Sequence, residues 1–362
     1  MGFLNVVTGF GRVDAYSNAG GVDRAILHGT NNNDTAVFRP DVTVLWAGGT
    51  NDVVRARRFE RVEVRANGGN DEAKFFDSAD ADMFVGASTH SQMTGDGFSN
   101  LAIGFDHVSA NSAAGNDKLL VHPFSVRLMG AGYEIEADGF ATVSADGRGG
   151  TGDRAWLYDS AGNDELIATP TWSQLTGTVS GVEFKNYARN FERVDARSTR
   201  GHDTATFYDS AGDDRYMGRP NYAALVGIGF KNVARNFDLV DLQATRGGVD
   251  SAFLTGSDGN DTYHSFATMA VFEGTGFRHQ LHAGVERIQV TGGTGGKDLM
   301  YAVDVADIDI VFGRGNLLRL SRTGNRLEDV IDFDTVWLLP AAAAGPTVDV
   351  ADIDYSFTNF GG

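Results

Sequence analysis

The spacing of one hydrophobic anchor decides what this chain can fold into. A Phe-x-x-Val-type element recurs with its last residue at Val13, Val62, Val108, Val143, Val194, Val240, Ile288 and Val336. The gaps are 49, 46, 35, 51, 46, 48 and 48 residues. Behind the anchors, a G-x-D-type turn ends at Asp23, Asp71, Asp117, Asp153, Asp203, Asp250 and Asp298. A second turn ends 11 residues later, at Asp34, Asp82, Asp164, Asp214, Asp261 and Asp309. A constant interval between turns means a constant strand length between them. Self-similarity at this period is the mark of a stacked-repeat architecture.

The clearest unit runs from Asn190-Phe191-Glu192-Arg193-Val194 through the turns at Asp203 and Asp214 to Leu225-Val226-Gly227-Ile228-Gly229-Phe230. Short apolar runs with period-two alternation and glycine-rich breaks read as strands. The spacing predicts about four strands per unit, most simply two coils of about 23 residues, with one large coil per repeat as the alternative. The expected fold is all-β: a parallel, right-handed β-helix (β-solenoid) of about eight repeats of about 48 residues. The array is expected over residues 1–310, with 311–362 a less regular final repeat or C-terminal cap. The pairs Ala25/Leu27, Ala73/Phe75, Ala155/Leu157, Ala205/Phe207 and Ala252/Leu254 are expected to point into the bore. The third unit has the 35-residue gap and no second turn after Asp117, so a strand-turn element is missing and a kink is expected near 117–128.

Composition narrows function. The 47 glycines serve tight turns, and only 6 prolines interrupt strand ladders. A net charge of −18 argues against nucleic acid and anionic membrane surfaces as partners. Without cysteine there are no disulfides, thiolate metal sites or cysteine nucleophiles. The opening Gly2-Phe3-Leu4-Asn5-Val6-Val7 lacks the pattern of a secretory signal, and the apolar run from Val336 to Pro346 is too short to span a bilayer. Residues Gly2 to Val13 align without gaps on Gly229 to Val240, so the chain is expected to be an excerpt of a longer array, with Met1 added for expression.

Clustered acids on a solenoid suit calcium, a hard oxygen-seeking cation. Leu254-Thr255-Gly256-Ser257-Asp258-Gly259-Asn260-Asp261-Thr262-Tyr263 resembles the nonapeptide of RTX calcium-binding β-rolls. That resemblance implies Asp261 as a carboxylate ligand and Gly256 and Gly259 as turn glycines. Asp164, Asp214, Asp258 and Asp261 are therefore the candidate calcium ligands. The competing reading makes them turn aspartates, hydrogen-bonded to nearby amides. Phe76, Trp156, Tyr158, Tyr208 and Phe253 take outward positions of the second strand and form a candidate ligand or partner surface, unless loops of the same units cover them. The arginines of Arg57-Arg58-Phe59 and of the Ala-Arg-Asn-Phe copies at 188–191 and 234–237 are expected to pair with aspartates of adjacent coils.

No catalytic residues are expected. The acids recur with the unit, whereas an active site gathers its acids, or its Arg, Lys and His, in one place. The eight histidines share no motif, His279 and His282 lack a suitably spaced third zinc ligand, and Gly292-Gly293-Thr294-Gly295-Gly296 is a turn of the repeat.

The Tyr-Asp-Ser-Ala-Gly-Asp-Asp core with its following Gly-x-Gly-Phe looks like the tandem repeats of very large surface or secreted proteins of planctomycete-type bacteria. The resemblance covers about residues 2–310 and is specific at 143–277. It implies an extracellular β-helical array with no catalytic residues to carry over, and it leaves the ligand open; the expected role is a rigid stalk, adhesin or fibre-forming module at the cell surface. Its partners would be neighbouring repeats, copies of itself stacked end to end, or a cell-surface glycan. The alternative is a carbohydrate-binding or polysaccharide-cleaving β-helix.

Overall fold

The computed structural model describes all residues except 1–10, 19, 77, 79–82, 88–89, 112–117, 131–132, 139–141, 148–151, 304–306, 340–345 and 361–362. Strands make up 62 % of the chain, and no α-helix occurs among the described residues, so the fold is all-β. The expectation of a β-solenoid holds: parallel coils stack in about eight turns. The chain divides into two compact units, one of residues 1–158 and 178–192, the other of 159–177 and 193–362.

Within the second unit the repeat is legible strand by strand. The anchor strand Arg193–Arg197 lies in one sheet and the second strand Thr204–Tyr208 in the other. The chain then returns to the first sheet for an antiparallel meander of three strands, Arg215–Arg219, Tyr222–Gly227 and Phe230–Arg235. The next anchor, Leu239–Gln243, falls in the opposite sheet from its predecessor. Anchors at Val285–Thr291 and Thr335–Leu338 continue the alternation. Each repeat therefore makes one and a half turns and hands the next repeat to the other face.

This corrects the expected coil. A unit has five strands, not four, and parallel partners on successive coils are about 36 residues apart rather than 23, as in Thr204↔Leu239 and Arg215↔Ser251. The physical reason is a hairpin hidden in an apolar run. Leu225 to Phe230 reads as a single strand, yet Ile228 is 92 % exposed at the tip of a turn and Gly229 has φ +79°. A left-handed φ beside an exposed apolar residue turns the strand back on itself.

The inward pairs behave as the alternation requires. Ala73, Phe75, Ala155, Leu157, Ala205, Phe207, Ala252 and Leu254 are buried, while Leu27 is buried and Ala25 half-buried in the first coil. They stack in register: Phe207 on Leu242 on Leu281, and Leu254 on Val290 on Val330. Each such side chain contributes roughly 1.5–3 kcal/mol of burial.

The short third unit lies in the first compact unit, and among its described residues no second strand stands between the anchor and the meander. Its anchor His107–Asn111 is followed by the meander Lys118–His122, Ser125–Gly130 and Tyr133–Asp138. One face-crossing is lost, so the next anchor, Thr142–Asp146, lands on the same sheet and pairs directly with it, Val108↔Val143. Of the segment 117–128, where a kink was expected, residue 117 lies outside the described residues, and the rest forms the strand Lys118–His122, a tight turn and the start of the strand Ser125–Gly130. Toward the chain's end the five-strand pattern persists: Ile308–Gly315, Leu317–Arg322 and Arg326–Ile331 form another meander, and Thr335–Leu338 pairs with Ser356–Asn359.

Candidate functional site: the aspartate corners

At each corner of the second unit, the second turn of one repeat sits under the first turn of the next. The contact is close enough to require glycine: a Cβ on Gly201, φ +110°, would lie 2.0 Å from the Gly162 carbonyl oxygen. Two turns that are 11 residues apart within a repeat thus belong to different corners, and each meets its counterpart one coil away.

The conserved spacing of the aspartates follows from what they bond. The Asp164 amide donates to Asp203 Oδ1 at 2.7 Å, Asp214 to Asp250 Oδ1 at 2.8 Å, and Asp261 to Asp298 Oδ1 at 2.9 Å. In the first unit Asp34 donates to Asp71 Oδ1 at 2.7 Å. The ladder then takes a second step. The amides of Asp203, Asp250, Asp298 and Asp71 donate to carboxylates of Asp238, Glu286, Asp334 and Asp106 at 2.7–2.9 Å. Those last acids fill the second position of the anchor, as in Phe237-Asp238-Leu239-Val240. Sequence reading passed over this acid, although its recurrence at Glu60, Asp106, Glu192, Asp238, Glu286 and Asp334 was visible.

The candidate calcium ligands also close their own turns. Asp164 accepts from the Ser160 amide and hydroxyl, both at 2.9 Å, and Asp214 and Asp261 accept in the same way from Ser210 and Ser257. Asp258 is exposed and accepts from the Thr294 hydroxyl. Burial pushes the carboxyls of Asp71, Asp164, Asp203, Asp214 and Asp298 above the ordinary range. Burial, with the charges of Asp214, Asp209 and Glu286, pushes Asp250 up to about 7. Asp159, Asp164 and Asp203 bring carboxylate oxygens within 4.8 Å of one another, a spacing that fits a metal ion.

The candidate surface aromatics of each unit do not share one face. In the first unit Phe76 lies on a strand of one sheet and Trp156 and Tyr158 on a strand of the other; in the second unit Tyr208 and Phe253 likewise lie in different sheets, and all five are half-buried. Arg39 lies over the Phe76 ring at 4.3 Å, Arg215 over Phe253 at 4.3 Å, and His122 stacks on Tyr158 at 4.4 Å. The expected arginine–aspartate pairing is clearest at Arg235, which grips buried Asp195 of the neighbouring strand through two nitrogens, at 2.8 and 3.2 Å. That carboxylate raises the Arg235 guanidinium above its ordinary value.

Phe76 does line a groove of about 460 Å³ on the first unit. Its floor is made by the two adjacent anchors, whose outward residues Ser109 and Ser144 are small, and its walls carry Lys74 and Phe76 on one side and Tyr187 and Arg189 on the other. Four parallel strands place those walls about 14 Å apart. The deleted strand of the third unit is what set these two anchors side by side.

Comparison of the chain with known protein families, with curated proteins and with solved structures gives no match.

Proposed function

We propose that the chain is a non-catalytic structural and adhesive β-solenoid segment of a larger extracellular bacterial surface protein, serving as a stalk, adhesin or fibre module. One observation carries the reading: the acids that recur with the unit are engaged in bonds from coil to coil, such as Asp164 to Asp203 to Asp238. The most regular chemistry of the sequence therefore holds one coil on the next. A segment that transmits force needs such cross-links at every layer, and a repeated face sums weak contacts by avidity.

Mechanical unfolding of single molecules tests this. The expected trace has steps of about 160 Å, the extended length of one 48-residue repeat. Unravelling at the lowest measurable force, without steps, would rule out a load-bearing role.

The groove favours a second reading, glycan binding. Phe76 and Tyr187 offer ring surfaces across a hydroxyl-lined floor, and the width suits two or three sugar units. An oligosaccharide screen separates the readings. Binding that weakens in Phe76→Ala and Tyr187→Ala supports an adhesin, shortened or unsaturated products mark a polysaccharide-cleaving enzyme, and neither result leaves the structural role standing alone.

A further inference from the structure

We propose that a second groove on the first compact unit binds the acidic sugars of a polyanionic glycan, with the Arg61 guanidinium gripping their carboxylate or sulfate. The groove has a volume of about 570 Å³ and lies on the sheet opposite to the one that carries Phe76. Four strands make it, in the order Arg24–His28, Arg61–Arg65, Phe98–Ile103 and His90–Gly95. Their register sets Arg24, Arg61, Ser99 and Thr94 in one row and Glu63, Leu101 and Gln92 in the next, and all of these line the groove.

Positive charge is in excess here. Arg24 and Arg65 both donate to the Glu63 carboxylate, and the Arg24 bond above all holds that carboxyl below its ordinary range. Arg61 is the neighbour of Arg24 across the ladder, yet its side chain forms no ion pair or hydrogen bond among the described residues. The next acids along the chain are engaged at the corner: Glu60 accepts from the Asp23 amide at 2.8 Å, and Asp23 from the Ser17 hydroxyl at 2.5 Å. A guanidinium fork matches the two oxygens of a carboxylate or sulfate. Beside Arg61, the Ser99 hydroxyl accepts from the Gln92 amide at 2.9 Å, and Thr94 adds a second hydroxyl to the row. Hydroxyl and amide groups of this kind bond the hydroxyls of a sugar.

The second compact unit supplies an internal comparison. Arg193-Val194-Asp195 aligns with Arg61-Val62-Glu63, and Phe230 and Asn232 with Phe98 and Asn100. There Arg193 is committed to its own acid, donating to Asp195 at 3.2 Å, beside Arg235 at 2.8 and 3.2 Å. Ala224, Val226 and Lys231 take the register places of Gln92, Thr94 and Ser99. The uncommitted arginine and the polar lining thus occur together in the first unit and are both absent from this repeat of the second. Stacking of the coils does not need them, since the second unit stacks without them. The net charge of −18 repels polyanions at long range, so capture of one has to be local.

The test is isothermal titration of the full chain, at physiological salt, with polygalacturonate, dextran sulfate, uncharged dextran and a single-stranded oligonucleotide. At least one acidic glycan should bind and uncharged dextran should not, and the preferred polymer identifies the anionic group. Arg61→Gln should weaken that binding about tenfold. It should leave the melting temperature unchanged, because Arg61 is exposed and its side chain bonds nothing in the fold. Arg61→Lys keeps the charge without the fork and should recover only part of the loss. Lys297→Gln, an equal change of charge at an exposed site of the second unit, should leave the affinity unchanged. So should Phe76→Ala and Tyr187→Ala, which belong to the other groove. Binding that survives Arg61→Gln would overturn the proposal, as would a wild type that binds neither acidic glycan. Dextran or the oligonucleotide bound as tightly as the acidic glycans would overturn it too. Neither the structural reading nor glycan binding in the Phe76 groove stands or falls with these outcomes.

Discussion

Asn232 and Thr169 stand 63 residues apart in sequence and are joined across the core, the Asn232 side-chain amide donating to the Thr169 carbonyl at 2.9 Å. Asn100 makes the same bond to Arg39 at 3.1 Å and Asn186 to His122 at 3.0 Å. In each case a residue two past a phenylalanine, on the last strand of a meander, reaches back to a carbonyl at the end of a strand in the opposite sheet. Asn232→Leu fills the space but leaves the Thr169 carbonyl without its donor. It should destabilise the fold by about 1–3 kcal/mol, read as a lower urea midpoint with unchanged slope. An unchanged midpoint would mean that water replaces the bond at no loss.

The corner ladder makes a sharper contrast at one position. Asp203→Ala removes the acceptor of the Asp164 amide, and Asp164 is 3 % exposed, so a loss of about 1–3 kcal/mol is expected. Asp203→Asn keeps an oxygen for that amide and removes a charge that burial disfavours and that Asp159 and Asp238 oppose. It should melt at or above wild type at pH 8. The ordering of the three melting temperatures is the measurement, and asparagine falling as low as alanine would show that the charge itself is needed.

Much of this was legible in advance. Val194 and Val240 set the period, and Ala205 and Phe207 pointed inward because strand alternation leaves no other arrangement. The meander was not legible, because Leu225-Val226-Gly227-Ile228-Gly229-Phe230 has the local composition of one strand and only a backbone reversal at Gly229 divides it. The corner partners were equally hidden: Asp164 and Asp203 are 39 residues apart, and their meeting depends on the coil length that the meander sets. The Phe-x-Asn signal at Phe98/Asn100, Phe184/Asn186 and Phe230/Asn232 lay in plain view, but its meaning required knowing that the two sheets face each other.

Near the end of the second unit the apolar ladder gives way to charge. Glu328 stacks on Ile288 in register and is 0 % exposed, as is appropriate for an apolar residue. It accepts from the Tyr263 hydroxyl at 2.6 Å, the Ser265 hydroxyl at 2.8 Å and Arg322 Nε at 3.0 Å, and Arg326 Nε lies 3.1 Å away. Glu328→Leu should destabilise by about 3–5 kcal/mol, since it leaves buried Arg326 without its carboxylate and Arg322 with Asp307 alone. Combining it with Arg322→Met and Arg326→Met should recover most of that loss in equilibrium unfolding. A triple variant no more stable than the single one would show that the ionic cluster is worth more than an apolar core of the same volume.

His279 replaces the asparagine of the cross-core bond and makes the fold sensitive to acid. Its Nε2–H donates to the Arg219 carbonyl at 2.9 Å, a group that can only accept, so Nδ1 accepts from the Tyr216 hydroxyl at 2.7 Å. Both bonds need the neutral ring. Burial pushes the imidazole down to about 4, against an ordinary value of 6.5. Below pH 6.5 the unfolded chain takes up a proton that the folded chain refuses, so this contribution is full above 6.5 and fades as pH falls toward 4. The loss is on the order of 3 kcal/mol. The buried aspartates run the opposite way: their raised values favour the folded state as pH falls, and that gain disappears as pH rises through their folded values. The two effects separate in His279→Asn, which keeps a donor for Arg219 and cannot titrate. The stability difference between wild type and His279→Asn should shrink or reverse between pH 7 and pH 4, measured by urea unfolding at each pH. Parallel curves would show that the ring is protonated within the fold and that the Tyr216 bond does not hold it neutral.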